Sequence, residues 1–538
     1  MREALARFDR LAVHSRRGRI VFGFALLVYA AESTVLPLVS GRDFGTYTRF
    51  YVQMFEWDSV LPMSMLYRTP VAPLVTGLPL DLGGGWLAQA VMALLFAAAV
   101  LAWSEIAARF DARAALAAGI VLALYPGYGI LFHRLSSDSV FAAAFALWGW
   151  LLVRAIERPG VARFVLAGLA VALCALVRPG NQVLLAFVLV PALLRAPLGR
   201  RVVRASAYAG VAVAVLAGWA ILNGVRYDDY AVARAGNAYV PFFRALVRDH
   251  IVQPDNGPAS RELAAAVRER LLGEEPYRSY EVDLEKFFGQ ASDRMFEDTL
   301  NLADETRGWD SDYSLLREAG LEAVREHPGR YASGVLSDLW RELWHPLHIS
   351  IEDVPSESVP ASGSGGSPAD PTPEPSGGEL IPAARQGFYT TTPDRTVREV
   401  WTSATAHDLV FDRPGDRERY EQVLAEMAEL HAELPPYAGS VEGTRWLSRS
   451  SKLFPPPALW LLAGLIAIAV RRPARSMVAI VPALGAAAVL VTSALGTYAI
   501  IELAVPVAPA FVLVGVACLL GPRSRLRSAE VATQRHTT

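Results

Sequence analysis

The chain has little cysteine and almost no lysine. Cys174 and Cys518 are the only cysteines among 538 residues, and both sit inside apolar runs, so neither a disulfide framework nor a zinc cluster is available. Lysine occurs only at Lys286 and Lys452; the remaining basic charge is arginine, which together with abundant alanine points to a GC-rich bacterial genome. A net charge of −2 offers no basic surplus, and nucleic acid is not an expected partner. No Walker, Rossmann or Gly-x-Ser-x-Gly pattern occurs in a suitable context. Gly83-Gly84-Gly85 follows no strand and precedes an apolar run, so it reads as a turn rather than a phosphate-binding loop. His345-Pro346-Leu347-His348 holds two potential ligands, but a proline lies between them and no carboxylate cluster is nearby, so a divalent metal is not supported.

Apolar surface is what the chain has. At 53% hydrophobic it is too apolar for an ordinary soluble enzyme and reads as a polytopic α-helical membrane protein. Ile20 to Val39 is about twenty residues, enough to cross roughly 30 Å of hydrocarbon at 1.5 Å per residue. Arginines precede it, but it has no small-x-small cleavage site, so a retained anchor is expected. Further spans are expected at about Trp86 to Trp103, Ala114 to Phe132, Val140 to Val153, Phe164 to Val177, Val183 to Leu194 and Ala205 to Leu222. After a long polar interval come Pro456 to Val470, Met477 to Val491 and Tyr498 to Leu519, making about ten in all.

Arginines between the spans set the orientation, because short cytoplasmic loops retain positive charge. Clusters at Arg109 and Arg113, at Arg154, Arg158 and Arg163, at Arg195 to Arg204 and at Arg471 to Arg475 alternate with loops holding isolated arginines: Arg42, Arg49 and Arg68, then Arg134, then Arg178. The alternation puts both termini in the cytoplasm of a cell whose inner membrane the chain crosses, and Asp43 outside. Three parts follow: an N-terminal membrane module over 1–222 with a first outer loop at about 41–85, an extracytoplasmic region over 223–455, and a C-terminal module over 456–538 with a cytoplasmic tail.

The extracytoplasmic region reads as mainly helical. Ser260 to Leu272, Tyr280 to Leu300, Ser314 to Glu326 and Asp416 to Leu434 carry apolar residues at spacings of three and four. Pro328 opens another helix, with Leu336, Leu339, Trp340, Leu343 and Trp344 as a stripe suited either to the membrane interface or to the region's own core. From Val354 to Glu379 the chain is dominated by Pro, Ser, Gly and Asp, too poor in apolar groups to repay ordering, and a disordered loop is expected.

An acid where a membrane helix meets water is costly unless it has work to do. Asp43, directly behind the first span in Gly41-Arg42-Asp43-Phe44-Gly45-Thr46-Tyr47, is therefore the candidate catalytic group; the alternative is a solvated loop acid beside Arg42. Tyr47, one turn on, could orient it. Glu32, inside the first span, is expected to face other helices or water rather than lipid.

The loop entrance with Asp43, Arg68-Thr69-Pro70-Val71-Ala72-Pro73, the run Ala167 to Leu173 leading to Leu176-Val177-Arg178-Pro179, and Glu322 to Tyr331 together resemble the GT-C superfamily of membrane glycosyltransferases. The branch is similar to the one holding protein O-mannosyltransferases and the lipid A aminoarabinose transferase. The chain departs from the pattern in having a single acid rather than an acidic pair at the loop entrance, and Glu502 near the last span's outer end where a basic residue is expected. The resemblance implies a donor sugar carried on a polyprenyl monophosphate and transfer to an extracytoplasmic acceptor, whether cell-wall glycan, lipid or protein. No ATP is available outside the membrane, so the activating energy must already lie in the sugar–phosphate bond. Asp43 would then take the acceptor's proton as general base, and Arg68, Arg134 and Arg178 would stabilise the leaving phosphate, with Tyr47 and Asp138 in support. For each arginine the alternative is an interfacial anchor or the partner of an acid such as Asp138. The rival functions are a transporter or lipid flippase, which predicts polar groups in the middle of several spans, and a non-catalytic envelope assembly protein.

Overall fold

The computed structural model describes residues 15–57, 59–234, 236–345, 349, 380–381, 391–403, 406–471, 476–496 and 501–520. Helix α1 (Arg16–Ser33) begins where Ser15 accepts a hydrogen bond from the Gly18 amide at 2.9 Å. It leads through a two-residue strand, β1 (Val39–Ser40), to α2 (Phe44–Gln53), α3 (Pro62–Tyr67) and the 37-residue α4 (Val71–Ala107). Next come α5 (Ala112–Ala123), α6 (Pro126–Phe132), β2 (Arg134–Leu135), α7 (Ser137–Glu157) and α8 (Val161–Val177). A 3₁₀ stretch, Pro179–Val188, and the short α9 (Leu189–Leu193) precede α10 (Leu198–Tyr227).

Among the described residues four helices, α4, α7, α10 and Met477–Gly496, are long and apolar enough to cross a membrane, and α5 with α6 forms a fifth if that bent pair is one span. The chain is thus a multi-pass membrane protein, and shorter apolar helices at Val161–Val177, Pro179–Leu193, Pro457–Val470 and Ala508–Leu520 occupy further expected spans. The segment at 114–132 bends by 63° because Pro126 forbids the preceding residue a helical backbone. The segment at 183–194 is largely 3₁₀, and the last one divides into Ile501–Ala504 and Ala508–Leu520. The first loop is itself mostly helical, and α4 already starts at Val71. Gly83-Gly84-Gly85 is a kink within α4 rather than a turn before it: Gly84 takes φ +61°, and a Cβ on Gly85 would lie 2.6 Å from the Glu433 carbonyl, so glycine lets the 433–436 segment close over the helix.

One apolar core joins α1, α4 to α8, Met477–Gly496 and Ala508–Leu520 around Phe96, Trp103, Tyr128 and Trp148. The side of α10 with Val202, Val203, Val213 and Ile221 points away from it, as expected of a helix whose outer face meets hydrocarbon. The helix termini segregate. Arg17 pairs with Glu105 at 3.0 Å and Arg109 with Glu157 at 3.2 Å at one end of the bundle, while the Asp43 loop, Ser136 to Asp138 and Arg178 gather at the other.

The polar interval forms α11 (Pro258–Arg270), α12 (Leu284–Gly289), α13 (Asp293–Arg307), α14 (Ser314–Glu326) and α15 (Pro328–Trp344), on a second core that includes Met63, Leu66 and Tyr67 of α3. The helix read over 280–300 is two, divided before Ser292, which caps α13. An antiparallel hairpin, β3 (Val397–Trp401) with β4 (His407–Phe411), adds strand to a region expected to be helical. Helix α16 (Asp416–Ala432) then packs on α2. On α15 the apolar stripe divides: Leu339 and Leu343 pack inward, while Leu336 and Trp340 are about two-thirds exposed at 66% and 65%. The loop expected over 354–379 lies outside the described residues, as does the side chain of Glu502.

Candidate active site

Two backbone junctions meet at the end of the bundle where α1 finishes and α7 begins. Strands β1 and β2 pair in parallel, Val39 opposite Arg134 and Ser40 opposite Leu135, and the Gly41 amide donates to the Leu135 carbonyl at 3.0 Å. The approach is close enough that a Cβ on Gly41 would meet the Leu135 carbonyl oxygen at 2.8 Å. The pairing sets the loop carrying Asp43 against the turn carrying Asp138.

Asp43 stands immediately before α2 in the left-handed region, φ 61°, a conformation that aspartate tolerates better than most residues. Its carboxylate faces the Arg68 guanidinium at 3.2 Å, and about a third of the side chain remains exposed. Tyr47 is buried against Asp43, Arg68, Arg178 and Ser137; burial, and then the negative charge of Asp43, push its hydroxyl above the usual tyrosine range, so it stays a neutral hydrogen-bonding group. Asp138 lies in the first turn of α7, whose amides and dipole favour an anion, and Ser136 caps that turn by accepting from the Asp138 amide at 3.2 Å. Arg178 binds Asp138 and donates to Ser137 Oγ at 2.8 Å, and Arg42 reaches the same carboxylate at 3.4 Å. Arg134, buried beside β1, is a third positive charge acting on Asp138.

The sequence-derived residues therefore converge. Asp43, Tyr47, Arg68, Arg134, Asp138 and Arg178, together with Arg42, share one site containing four guanidinium groups and two carboxylates. Arg42 was passed over because its bond to Asp138 crosses 96 positions, which no local pattern announces. His431 was missed for the same reason. From the end of α16 it stacks on Phe44 at 4.8 Å between ring centres and lies 2.9 Å from the Thr48 hydroxyl, covering α2. Beneath the junction, Glu32 faces protein, as expected: it is buried 3.8 Å from His133, which stacks on Tyr29. Among the described residues no group of three or more His, Cys, Asp or Glu side chains is arranged to hold a metal.

Residues 68–222 match the family described as dolichyl-phosphate-mannose-protein mannosyltransferase, a stretch that includes Arg68, Arg134, Asp138 and Arg178 and starts after Asp43. No curated protein matches the chain in sequence. Among solved structures, ArnT from Cupriavidus metallidurans in the apo state is 15% identical over 93% of this chain and 76% of its own, with a TM-score of 0.33. The same protein bound to undecaprenyl phosphate gives 14%, 93%, 77% and 0.34. The oligosaccharyltransferase of Archaeoglobus fulgidus, tethered to an acceptor peptide, is 13% identical over 85% of this chain and 57% of its own, with a TM-score of 0.28.

Proposed function

We propose that the chain is a membrane glycosyltransferase of the GT-C superfamily that moves a sugar from a polyprenyl-phosphate donor to an acceptor hydroxyl, with Asp43 as general base; the match of residues 68–222 to a mannosyltransferase family supports this reading. The observation that carries this reading is the convergence of four guanidinium groups, Arg42, Arg68, Arg134 and Arg178, on one site with Asp43 and Asp138. Fixed guanidinium groups are natural stabilisers of the charge that grows on a leaving sugar phosphate.

In the proposed reaction the donor phosphate draws Arg68 from Asp43, freeing the carboxylate. The acceptor oxygen then bonds to the anomeric carbon while its proton passes to Asp43. The bond from the anomeric carbon to the phosphate oxygen breaks, and its electron pair leaves on the phosphate, whose growing charge the arginines stabilise. Tyr47, buried between Asp43 and Arg178, positions the base. The proposed orientation keeps this end of the bundle outside the cytoplasm and both termini inside, with residues 223–455 as an extracytoplasmic region between membrane modules at 1–222 and 456–538. The isolated arginines at this end and the arginine clusters at the other support it.

The test is Asp43→Asn in purified protein, following polyprenyl phosphate released from synthetic polyprenyl-phosphate mannose, glucose and arabinose. Turnover should fall by roughly 10²- to 10⁴-fold with donor binding retained. Normal turnover would make Asp43 a loop acid and end the mechanism.

A further inference from the structure

A small polar cavity of about 60 Å³ lies in the second core, bounded by Met63, Asn301, Asp304, Trp309 and Thr391. Its charged groups are already paired. Arg234 binds Asp304 at 2.7 Å and Asp229 at 3.2 Å and stacks on the Trp309 ring at 3.3 Å, and Arg395 at the cavity wall pairs with Glu305. With each carboxylate at the wall already bound to a guanidinium, an uncharged polar ligand is what fits. The buried indole N–H of Trp309 has no hydrogen-bond partner among the described residues, although a buried indole normally finds an acceptor. Asn301 supplies a carboxamide, Thr391 a hydroxyl and Met63 an apolar wall. Carboxamide, hydroxyl and indole beside an apolar surface suit a sugar ring, whose hydroxyls radiate from a face of C–H groups.

Size and position narrow the choice. At about 30 Å³ per water the cavity has room for about two, enough for the hydroxyls at one edge of a ring but not for a lipid chain or a folded peptide segment. The wall is tied to the active site through α3. The Arg234 amide donates to the Leu66 carbonyl at 2.9 Å, Tyr67 meets Tyr313 edge-on, and Arg68 follows directly and faces Asp43. From Met63 to Arg68 is roughly 7 Å along the helix, short enough for one acceptor to span both points. We propose that this cavity is an acceptor subsite for the hydroxyl-bearing edge of a sugar ring, so that the acceptor is a glycan. The proposal rests on the glycosyltransfer reading above.

The experiment uses the full chain in lipid nanodiscs without donor. Methyl glycosides of glucose, galactose, mannose and arabinose serve as probes, and saturation transfer from protein to probe is read by NMR. At least one glycoside should show transfer with the native chain. Asn301→Leu should reduce that signal by about tenfold, and Trp309→Phe, which keeps the ring and loses the N–H, by a smaller factor, with the thermal transition of both variants unchanged. Absence of transfer with the native chain, or transfer unaffected in both variants, would overturn the proposal. Asp43→Asn should keep glycoside binding while losing turnover. If it keeps both, Asp43 is not the base and the cavity assignment stands; if the Asn301 effect is absent while Asp43→Asn is inactive, the cavity assignment falls and the Asp43 mechanism stands.

Discussion

The molecule contains two kinds of arginine cluster, and they differ in what surrounds the guanidinium. In the 223–455 region each buried arginine has two carboxylates: Arg244 binds Asp249 and Asp338, Arg294 binds Asp298 and Glu399, and Arg234 binds Asp229 and Asp304. At the end of the bundle the ratio is inverted, with Arg42 and Arg178 sharing Asp138 while Arg68 faces Asp43. The saturated clusters hold helices together, and no positive charge is left over for an anionic ligand. The other gathers its guanidinium groups beside the partly exposed carboxylate of Asp43. The same residue type thus builds structure in one place and, in the proposed function, meets a phosphate in the other.

The largest effect should come from breaking a saturated cluster. Arg244→Ala leaves Asp249 and Asp338 buried without their cation and should cost about 3–5 kcal/mol, read from denaturant unfolding of the purified chain. Adding Asp338→Asn should recover part of the loss. A change under about 1 kcal/mol would remove the distinction between the clusters.

Arg68→Ala should do the opposite. Turnover should fall by roughly 10²- to 10³-fold through lost stabilisation of the leaving phosphate, with donor binding weakened and the unfolding transition nearly unmoved. An active variant with a lowered transition would turn Arg68 into a structural residue and remove it from the proposed phosphate site.

Glu342 sharpens the comparison from a third direction, as an acid with no arginine paired to it among the described residues. It lies one turn beyond Asp338 on α15, buried, with neither carboxylate oxygen hydrogen-bonded among the described residues. Burial, and then the charge of Asp338, push its pKa up to about 8 from an ordinary 4.5. Because the folded chain holds this proton more tightly than the unfolded chain, the stabilisation is present below pH 4.5 and is lost as pH rises towards 8. Glu342→Gln should flatten this part of the stability–pH curve: nearly neutral at pH 4.5 to 5, and more stable than the native chain at pH 8.5. An unchanged slope would mean that Glu342 is ionised in the fold.

Much of this was legible in sequence wherever the signal is local. Apolar residues at spacings of three and four gave Ser314–Glu326 to the residue, and the arginine alternation brought Asp43, Arg134 and Arg178 to one end of the bundle before any geometry was known. Span regularity was not legible, because hydropathy reports composition and not where backbone hydrogen bonding breaks, as it does before Pro126. The kink at Gly83 to Gly85 depends on contact with Glu433, almost 350 positions away. Arg42 on Asp138 and His431 over Thr48 are likewise tertiary facts, invisible to any window. The β3–β4 hairpin escaped because Val397-Arg398-Glu399-Val400-Trp401 mixes charge and bulk without clean alternation over only five residues.

The parallel pairing of β1 with β2 makes spacing a requirement in its own right. Ser40 sits opposite Leu135, and each is followed three residues later by an acid, Asp43 on one strand and Asp138 on the other. Both strands run the same way, so the two carboxylates leave the junction in step. One residue inserted between Ser40 and Asp43, or removed between Leu135 and Asp138, would slide one acid past the other by about 3.3 Å. Such a shift is large enough to part Arg42 from Asp138 with every side chain unchanged. At this junction the count of residues, more than their identity, is what a variant must preserve.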